Sequence, residues 1–495
     1  MHCRRDRNCI LRGETGGLTQ AKAGRHGPIV SRNRQYAELP SSLTATSDQK
    51  GNRMTIPSKK KTHLLGFIQH GVNSHATGMW RHPKDKVGWD FSRPEYWQHM
   101  ARTMERGLFD AMFIADELAP YNTHEDSSDA IVKWAVQCPT HEPSTIVPII
   151  TTATKHLGVG VTLSTAFEHP YSMCRRLSSL DHLSSGRVAW NIVSSYSKSE
   201  WDAYGHTMTD RSGRYERLDE YMEVCYKLWD SWEPGAIIAD KKSGIYADPE
   251  KINVVHHEGK YYKCDGRHFC APSPQGRPVL WQAGSSGQGR DFAAKHAEAI
   301  FAVHPNIDRM KQYAADLGDR LENKFSRAPG SVKLIYGLQT VVAETRSEAQ
   351  EKYERIKACI PPEGALAWMS GHFGLDFSTY PSDAVVQNIE VPGIQGLFES
   401  IIYAKGGAPV TVAEAAMIYA QGMGMPVAVG TAQDIADQME HYMDEGGADG
   451  FMLAATYTPG CFEEFVDLVV PELQRRGRLR TGYTGTTLRD NLLEQ

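Results

Sequence analysis

Long apolar runs are missing from this sequence. No stretch approaches the roughly 20 consecutive apolar residues that a membrane-spanning helix requires. The nine cysteines include no Cys-x-x-Cys pair, which is typical of free thiols in a reducing compartment rather than of a disulfide framework. The first residues also lack the apolar segment of a secretory signal. These absences predict a cytoplasmic protein with no membrane partner.

Several signatures of catalysis and nucleotide binding are missing as well. The sequence contains no GxGxxG, no GxxxxGK[ST], no HExxH and no serine in a GxSxG elbow. We therefore expect neither a protein-bound metal nor a catalytic triad. The net charge of −5 gives no indication of nucleic-acid binding.

Residues 1–53 differ from the rest of the chain in charge. They contain ten Lys or Arg and four Asp or Glu, a net charge of +6 that leaves −11 for the remainder, and they show no apolar periodicity. We interpret them as a basic, disordered extension, with a basic targeting tail as the alternative. The folded domain is expected at residues 54–495.

From His63 onward, strand-like and helix-like segments alternate. Short apolar runs rich in β-branched and aromatic residues predict strands, and helical spacing of apolar residues predicts the helices between them. Eight strands are predicted, at His63–Gln69, Asp110–Asp116, Leu157–Ser164, Arg187–Tyr196, Arg277–Gly284, Ala299–Val303, Val332–Ala343 and Gly450–Ala455. Eight strands separated by helices predict an α/β fold, a (β/α)8 TIM barrel, with a doubly wound open sheet as the alternative.

Two long segments interrupt this alternation. Residues 233–274 are rich in turn and strand signals, and residues 360–426 are irregular and partly helical. We interpret both as insertions in the barrel, because long excursions of this kind often form lids or subunit contacts.

Polar residues close several of the predicted strands. Asp116 ends the second strand, and Ser195 and Tyr196 end the fourth. Because an α/β barrel carries its chemistry at the carboxyl ends of its strands, these side chains are candidates for function. A helix cap or a structural ion pair is the alternative for Asp116.

A glycine-rich turn, AGSSGQGR at residues 283–290, follows the fifth strand and opens a helix. Backbone N–H groups at a helix N-terminus attract anions, and Ser285, Ser286 and Arg290 add further donors. The turn is therefore a candidate phosphate site, and an ordinary helix cap is the alternative.

Nine segments in one order resemble the bacterial luciferase-like flavin monooxygenases, and most closely the branch of nitrilotriacetate, dibenzothiophene-sulfone and pristinamycin synthase A monooxygenases. The segments are GMWRHP (78–83), ERGLFDAMFIAD (105–116), TLSTAFEHPY (162–171), LDHLSSGRVAWNIVSS (180–195), RYERLDEYMEVCYKLW (214–229), SPQGRPVLWQAGSSGQGRDFAAKHAE (273–298), GGADGF (446–451), FVDLVVPELQRRG (465–477) and GYTGTTLRDNL (482–492).

This resemblance implies an FMNH2-dependent, two-component monooxygenase on a luciferase-like TIM barrel. A separate NAD(P)H:flavin reductase would supply the reduced FMN. Reaction with O2 through a flavin C4a-(hydro)peroxide would insert one oxygen atom into a small organic substrate, often cleaving a C–S or C–N bond. Members commonly form homodimers or homotetramers. The alternative is an F420- or flavin-dependent dehydrogenase, or a flavin-binding barrel without oxygenase activity, and a metal-dependent hydrolase is a second rival.

The resemblance also implies the site residues. Those expected to hold the flavin are Asp116, Thr162, Ser195, Tyr196, Arg211, Tyr215, Ala283, Gly284, Ser285 and Ser286. Arg211 stands where members commonly carry His, and a guanidinium can pair with phosphate in its place. On the substrate side, His75, His82 and Tyr196 are the expected proton donors.

The chain differs from the alkane-oxidising members at two positions. Gly71 and Tyr196 stand where those members carry Cys and His. This difference favours a substrate of the sulfone or aminopolycarboxylate kind over an alkane.

Overall fold

The computed structural model describes residues 59–72, 75–88, 90–284 and 287–493. The predicted basic extension at residues 1–53, and Ser285 and Ser286 in the glycine-rich turn, lie outside these ranges. Within them, no helix is long and apolar enough to cross a bilayer.

Thirteen strands are found in the described ranges. They are β1 His63–Gln69, β2 Ala111–Ala115, β3 Gly158–Ser164, β4 Val188–Val193, β5 Ile237–Asp240, β6 Ile245–Ala247, β7 Val255–Glu258, β8 Lys263–Gly266, β9 Val279–Gln282, β10 Ala299–Ala302, β11 Lys333–Val342, β12 Val427–Gly430 and β13 Gly450–Ala454.

Helices lie between the strands and after the last of them. They are α1 Pro94–Arg106, α2 Asp129–Lys133, α3 Val147–Ala153, α4 Pro170–Leu183, α5 Lys198–Ala203, α6 Arg211–Trp229, α7 Gly287–His296, α8 Ile307–Asp319, α9 Arg346–Ala358, α10 Pro362–Phe373, α11 Gln395–Ile402, α12 Val412–Gly422, α13 Ala432–Asp444, α14 Gly460–Glu464, α15 Val470–Arg475 and α16 Leu488–Leu493.

Eight parallel strands close into a barrel, which confirms the predicted TIM-barrel fold. Their order around the barrel is β1, β2, β3, β4, β9, β10, β11 and β13, and β13 pairs with β1. All eight coincide with the predicted strands to within a few residues. Their composition explains this agreement, because strands covered by helices on one side and packed on the other read as continuous apolar runs.

A ninth strand of this sheet was not predicted. The four residues of β12 pair in parallel with the last four of β11, Gln339–Val342. The ten-residue β11 therefore extends beyond the barrel and carries a short partner there.

The two interrupting segments have different structures. Residues 233–274 form two antiparallel hairpins, β5–β6 and β7–β8. Residues 360–426 form α10, α11 and α12, of which α10 and α12 pack against each other. These helices share an apolar core with the residues that fill the barrel interior, so they pack directly on the barrel.

Candidate functional site

A cavity of about 890 Å³ opens at the carboxyl ends of the barrel strands. Its wall includes Asp116 directly after β2, Thr162 near the end of β3, Ser195 after β4 and Gly284 after β9. Parallel strands bring their carboxyl ends to one rim, so residues far apart in the sequence meet here. The position agrees with where TIM barrels carry their active sites.

Most of the predicted site residues lie in this wall. The structure brings together His75, Asp116, Thr162, Ser195, Tyr196, Tyr215, Ala283 and Gly284. Arg211 is the first residue of α6, and the wall includes its neighbours Asp210, which caps the helix, and Arg214 in its first turn.

The structure does not bring His82 to the cavity. Its ring stacks on Tyr457 at a centroid distance of 4.3 Å, and its Nδ1 accepts a hydrogen bond from the Lys84 N–H at 3.3 Å. Burial lowers its pKa, with the nearby Arg355 and Lys84 charges adding to the effect. His75 and His82 belong to one loop, of which His75 lines the cavity and His82 packs against Tyr457.

Several residues of the cavity wall carry a buried polar atom that has no partner among the described residues. The amide nitrogen of Asn191 donates to the Thr162 hydroxyl at 2.9 Å, which leaves the amide oxygen of Asn191 without a partner. Other such atoms on the wall are Gln69 Oε1, His75 Nδ1, Gln282 Oε1 and His304 Nε2. Leaving a buried polar atom unsatisfied costs about 1–3 kcal/mol. A polar, planar ligand fits such a wall, because it can supply partners to several of these atoms together.

An aromatic surface lies beside these polar atoms. Phe67, Phe113 and Phe301 line the cavity, and the His75 ring stacks on Phe67 at 3.7 Å. Burial, with a smaller contribution from His372, lowers the pKa of His75 to about 3. At neutral pH His75 is therefore an uncharged imidazole and has no acidic proton to give.

The other end of the cavity lies between the N-termini of two helices. Asp210 caps α6 by accepting from the Gly213 N–H at 3.1 Å, and α7 begins at Gly287 after the glycine-rich turn. The Tyr313 hydroxyl holds the turn by donating to the carbonyl of Gly284 at 2.5 Å. Two helix N-termini at one end favour the binding of an anion there.

Arg290 contributes less to this end than the sequence predicts. Its guanidinium donates to Asp316 at 2.8 Å and is not part of the cavity wall. Asp316 also binds Arg320. The wall at this end includes Arg214, whose Nη1 donates to the Thr209 carbonyl at 2.6 Å.

Asp116 has an acidic environment. Burial is the largest cause that raises its pKa, to about 8, and the carboxyls of Glu142 and Glu200 add to the shift. Among the described residues, no Lys or Arg forms an ion pair with Asp116 within 4.0 Å. Asp116 is therefore largely protonated at neutral pH and can donate a hydrogen bond as well as accept one.

A buried polar network beside Asp116 was missed by sequence reasoning. Glu117 accepts a hydrogen bond from the Tyr196 hydroxyl at 3.0 Å, and the Tyr121 hydroxyl lies 2.8 Å from that of Tyr196. His372 of α10 lies close by, with its Nε2 3.8 Å from Glu117 Oε1. Glu117 is adjacent to a predicted residue and could have been suspected. Nothing in the sequence marks His372, which comes from the 360–426 insertion.

His372 is held as a neutral imidazole. Its Nε2 accepts from the Trp368 indole N–H at 3.1 Å, and its Nδ1 is hydrogen-bonded to the Tyr419 hydroxyl. Burial lowers its pKa to about 3. The insertion thus supplies a fixed, uncharged side of the cavity.

Comparison with known proteins identifies the family to which this chain belongs. The luciferase-like monooxygenase profile matches residues 64–450. Dimethyl-sulfide monooxygenase of Hyphomicrobium sulfonivorans is 39% identical, over 88% of this chain and 91% of its own. Long-chain alkane monooxygenase of Geobacillus thermodenitrificans is 38% identical, over 88% and 94%. The solved structure of riboflavin lyase with modified FMN and riboflavin superposes with a TM-score of 0.81 at 33% identity, covering 88% of this chain and 96% of that one.

Proposed function

Since the chain belongs to the luciferase-like monooxygenases, a family of flavin-dependent, two-component enzymes, we propose that it uses reduced FMN and O2 to insert one oxygen atom into a small organic substrate. A separate NAD(P)H:flavin reductase would deliver the FMNH2 by diffusion. Cleavage of a C–S or C–N bond in the oxygenated substrate is the outcome we expect.

The observation that carries this proposal is the set of unpartnered buried atoms in the cavity wall. Gln69, Asn191 and Gln282 each present an amide oxygen that has no partner among the described residues, and the Thr162 hydroxyl, which accepts from Asn191, lies in the same wall. An isoalloxazine ring has donors and acceptors along one edge and apolar faces elsewhere. The wall combines these amides with Phe67 and its aromatic neighbours, so the residues present fit the cofactor.

The proposed flavin contacts follow the length of the cavity. Asp116, Thr162 and Ser195 would surround the ring, and Tyr196 would lie at its substrate side. Tyr215, Ala283 and Gly284, with Arg211, Ser285 and Ser286, would hold the ribityl chain and phosphate. The N-termini of α6 and α7 would stabilise the phosphate charge.

The protein's own part would be to bind, enclose and orient. Reduced flavin, when bound, supplies the two electrons that activate O2. The 360–426 insertion contributes Ile394, Leu397 and Met423 to the wall, and these apolar side chains would keep water from the reacting atoms. The same side chains would shape the substrate chamber.

The proposal is tested by anaerobic titration with FMNH2 followed by mixing with O2. We expect stoichiometric binding, and we expect bound flavin to return to its oxidised absorbance much more slowly than free FMNH2 does. Binding of F420 in preference to FMNH2, or reoxidation at the protein-free rate, would support the dehydrogenase or carrier alternative.

Gly284→Ala tests the end of the cavity that is proposed to hold the flavin phosphate. An added Cβ would lie 2.6 Å from Gln282 Oε1 and 2.7 Å from the Gly289 carbonyl oxygen. Because the turn must then shift, we expect FMNH2 affinity to fall by about tenfold or more, equal to about 1.4 kcal/mol. The matched control is Gly318→Ala in α8, where an added Cβ meets no atom within 4 Å. Unchanged affinity in Gly284→Ala would remove this turn from the flavin site.

Flavin binding is expected to weaken as the pH rises through the pKa of Asp116, about 8. A ligand that covers Asp116 removes its remaining water, which favours the neutral form further. Binding is then coupled to proton uptake, and the dissociation constant should rise up to tenfold per pH unit above that pKa. Asp116→Asn should abolish the slope. The measurement is titration of both proteins with FMNH2 between about pH 6 and 9. An equal dependence of the dissociation constant on pH in the two proteins would exclude Asp116 as the origin of that dependence.

A further inference from the structure

Met423 lies in the wall of the cavity in an unusual backbone conformation. It follows α12 with a φ of 57° and is 8% exposed. Its N–H donates to the Tyr419 carbonyl at 2.7 Å, and the next residue, Gly424, is also left-handed, with a φ of 72°. Glycine is the usual residue where a helix ends in this conformation, because a Cβ crowds the following carbonyl. The chain therefore tolerates backbone strain in order to hold a long side chain at this position.

Two further residues of the wall share this conformation. Gln137 and Ser195 have φ values of 51° and 50°. Non-glycine residues in the left-handed region persist where the surrounding structure fixes them, and they concentrate at functional sites. Met423 comes from the 360–426 insertion, as does Ile394, so its thioether belongs to the part of the wall that the insertion supplies. These observations indicate a function for the Met423 side chain.

The chemistry of this side chain suggests what that function is. The described residues of the wall include no cysteine, and their two methionines, Met208 and Met423, are the side chains most readily oxidised. Met208 is half-buried and lies two residues before Asp210, which caps α6, so it belongs to the end proposed for the flavin phosphate. Met423 is the thioether on the side of the insertion.

We propose that the Met423 sulfur is a self-oxidation site, which accepts the oxygen atom that reduced flavin activates whenever no substrate occupies the cavity. This inference rests on the proposed function. Reduced FMN, O2 and the thioether give oxidised FMN, water and methionine sulfoxide. A lone pair of the sulfur forms the new S–O bond, and the other oxygen atom leaves as water with two hydrogens from the flavin. Of the four electrons that O2 accepts, the flavin supplies two and the sulfur two.

Oxidation of Met423 would make the enzyme self-limiting. A sulfoxide is polar, whereas the insertion presents apolar side chains to the cavity at Ile394 and Leu397. Water would then enter next to the reacting atoms, and the electrons of reduced flavin would be lost to H2O2. Methionine sulfoxide is reduced enzymatically, so the change is reversible.

The first test uses no flavin. The ligand-free full chain is treated with dilute H2O2, and the oxidation of each methionine is followed by peptide mass spectrometry. We expect Met208 to react first, because it is more exposed, and Met423 to follow. The control is Met425, which is 5% exposed and outside the wall, and it should react at least about tenfold more slowly than Met423. Equal rates for Met423 and Met425 would mean that the Met423 sulfur is not reached from the cavity, which overturns the proposal.

The second test uses FMNH2 and isotopically labelled O2 without substrate, with catalase present to destroy H2O2 that escapes. We expect labelled sulfoxide at Met423 ahead of Met208, the reverse of the order with added H2O2. The ratio of Met423 to Met208 oxidation should rise at least about tenfold, because a side chain held beside the reacting atoms has a high effective concentration. An unchanged ratio would mean oxidation by diffusing peroxide and would overturn the proposal.

Two variants of Met423 test the consequence. Met423→Gln, a polar analogue of the sulfoxide, should return bound FMNH2 to its oxidised form about tenfold faster than Met423→Leu, which is apolar and of similar volume. Oxidised wild type should behave like the Gln variant and should recover after treatment with methionine sulfoxide reductase. Equal rates in the two variants would overturn the self-limiting role.

Failure of this proposal and failure of the proposed function give different results. A chain that protects bound FMNH2 but acquires no label at Met423 would overturn self-oxidation alone. A chain that does not bind FMNH2 would overturn the proposed function and self-oxidation with it, even if Met423 reacts with added H2O2.

Discussion

Replacing Asp110 with alanine is expected to lower the free energy of unfolding by about 3–5 kcal/mol, because the change leaves a buried charge without its partner. Asp110 directly precedes β2 at the amino end of the barrel, opposite the cavity, and is 1% exposed. Arg480 Nη2 donates to its Oδ1 at 2.6 Å, and its Oδ2 accepts from the Leu64 N–H at 3.0 Å. His63 Nδ1 lies 3.0 Å from Oδ1. Asp110 thus ties β1 and β2 to the C-terminal segment.

The effect should depend on pH in a defined direction. Burial alone would raise the pKa of Asp110, but attraction to His63 and Arg480 outweighs it and holds the pKa below the ordinary value. A depressed pKa in the folded state stabilises above the unfolded-state pKa of about 4 and loses its contribution as the pH falls further. The difference between wild type and Asp110→Ala should therefore be full at neutral pH and shrink in acid.

Urea unfolding of both proteins at neutral pH and in acid measures this effect. The control is Asp437→Ala, which removes an exposed carboxylate 2.6 Å from Arg476 and should change stability by no more than about 0.5 kcal/mol. A loss below about 1 kcal/mol in Asp110→Ala would mean that water replaces the lost partner and that the network is not a main support of the barrel.

The barrel was predictable from the sequence because its signal is repeated. Runs such as GVGVTLS in β3 and VAWNIV in β4 are buried along almost their whole length, so composition alone identifies them. Strand β12 has only four residues and follows a long irregular segment. Its pairing with the end of β11 is a tertiary contact that no local sequence pattern predicts.

The candidate site was predictable where it depends on strand ends and unpredictable where it depends on the insertion. Asp116, Thr162 and Gly284 meet because parallel strands converge, which topology alone requires. His372 reaches the cavity because α10 packs against α12 and α2, and nothing in the sequence spacing predicts that packing. Both kinds of residue meet at Glu117, which follows β2, because His372 faces it from the insertion.

Gly160→Ala is expected to be nearly as damaging as the loss of Asp110, although it adds only one methyl group. Gly160 lies in β3, and an added Cβ would approach the Trp281 ring to 2.0 Å at Cζ3 and 2.5 Å at Cε3. That ring is 2% exposed and stacks on Phe113 at a centroid distance of 5.6 Å, so it has little room to move. Overpacking of this kind costs about 1–3 kcal/mol, and we expect the upper end because a rigid ring must shift.

The damage should reach the cavity, because Trp281 is followed directly by Gln282 in the wall. We expect Gly160→Ala to weaken FMNH2 binding at least about tenfold as well. Gly482→Ala, where an added Cβ meets no atom within 4 Å, should change neither stability nor binding. If the clash is the cause, Trp281→Phe should recover part of both losses in the Gly160→Ala background while destabilising the wild type, a favourable coupling that a double-mutant cycle measures. Additive effects of the two substitutions would show instead that β3 itself, rather than its contact with Trp281, requires a glycine at this position.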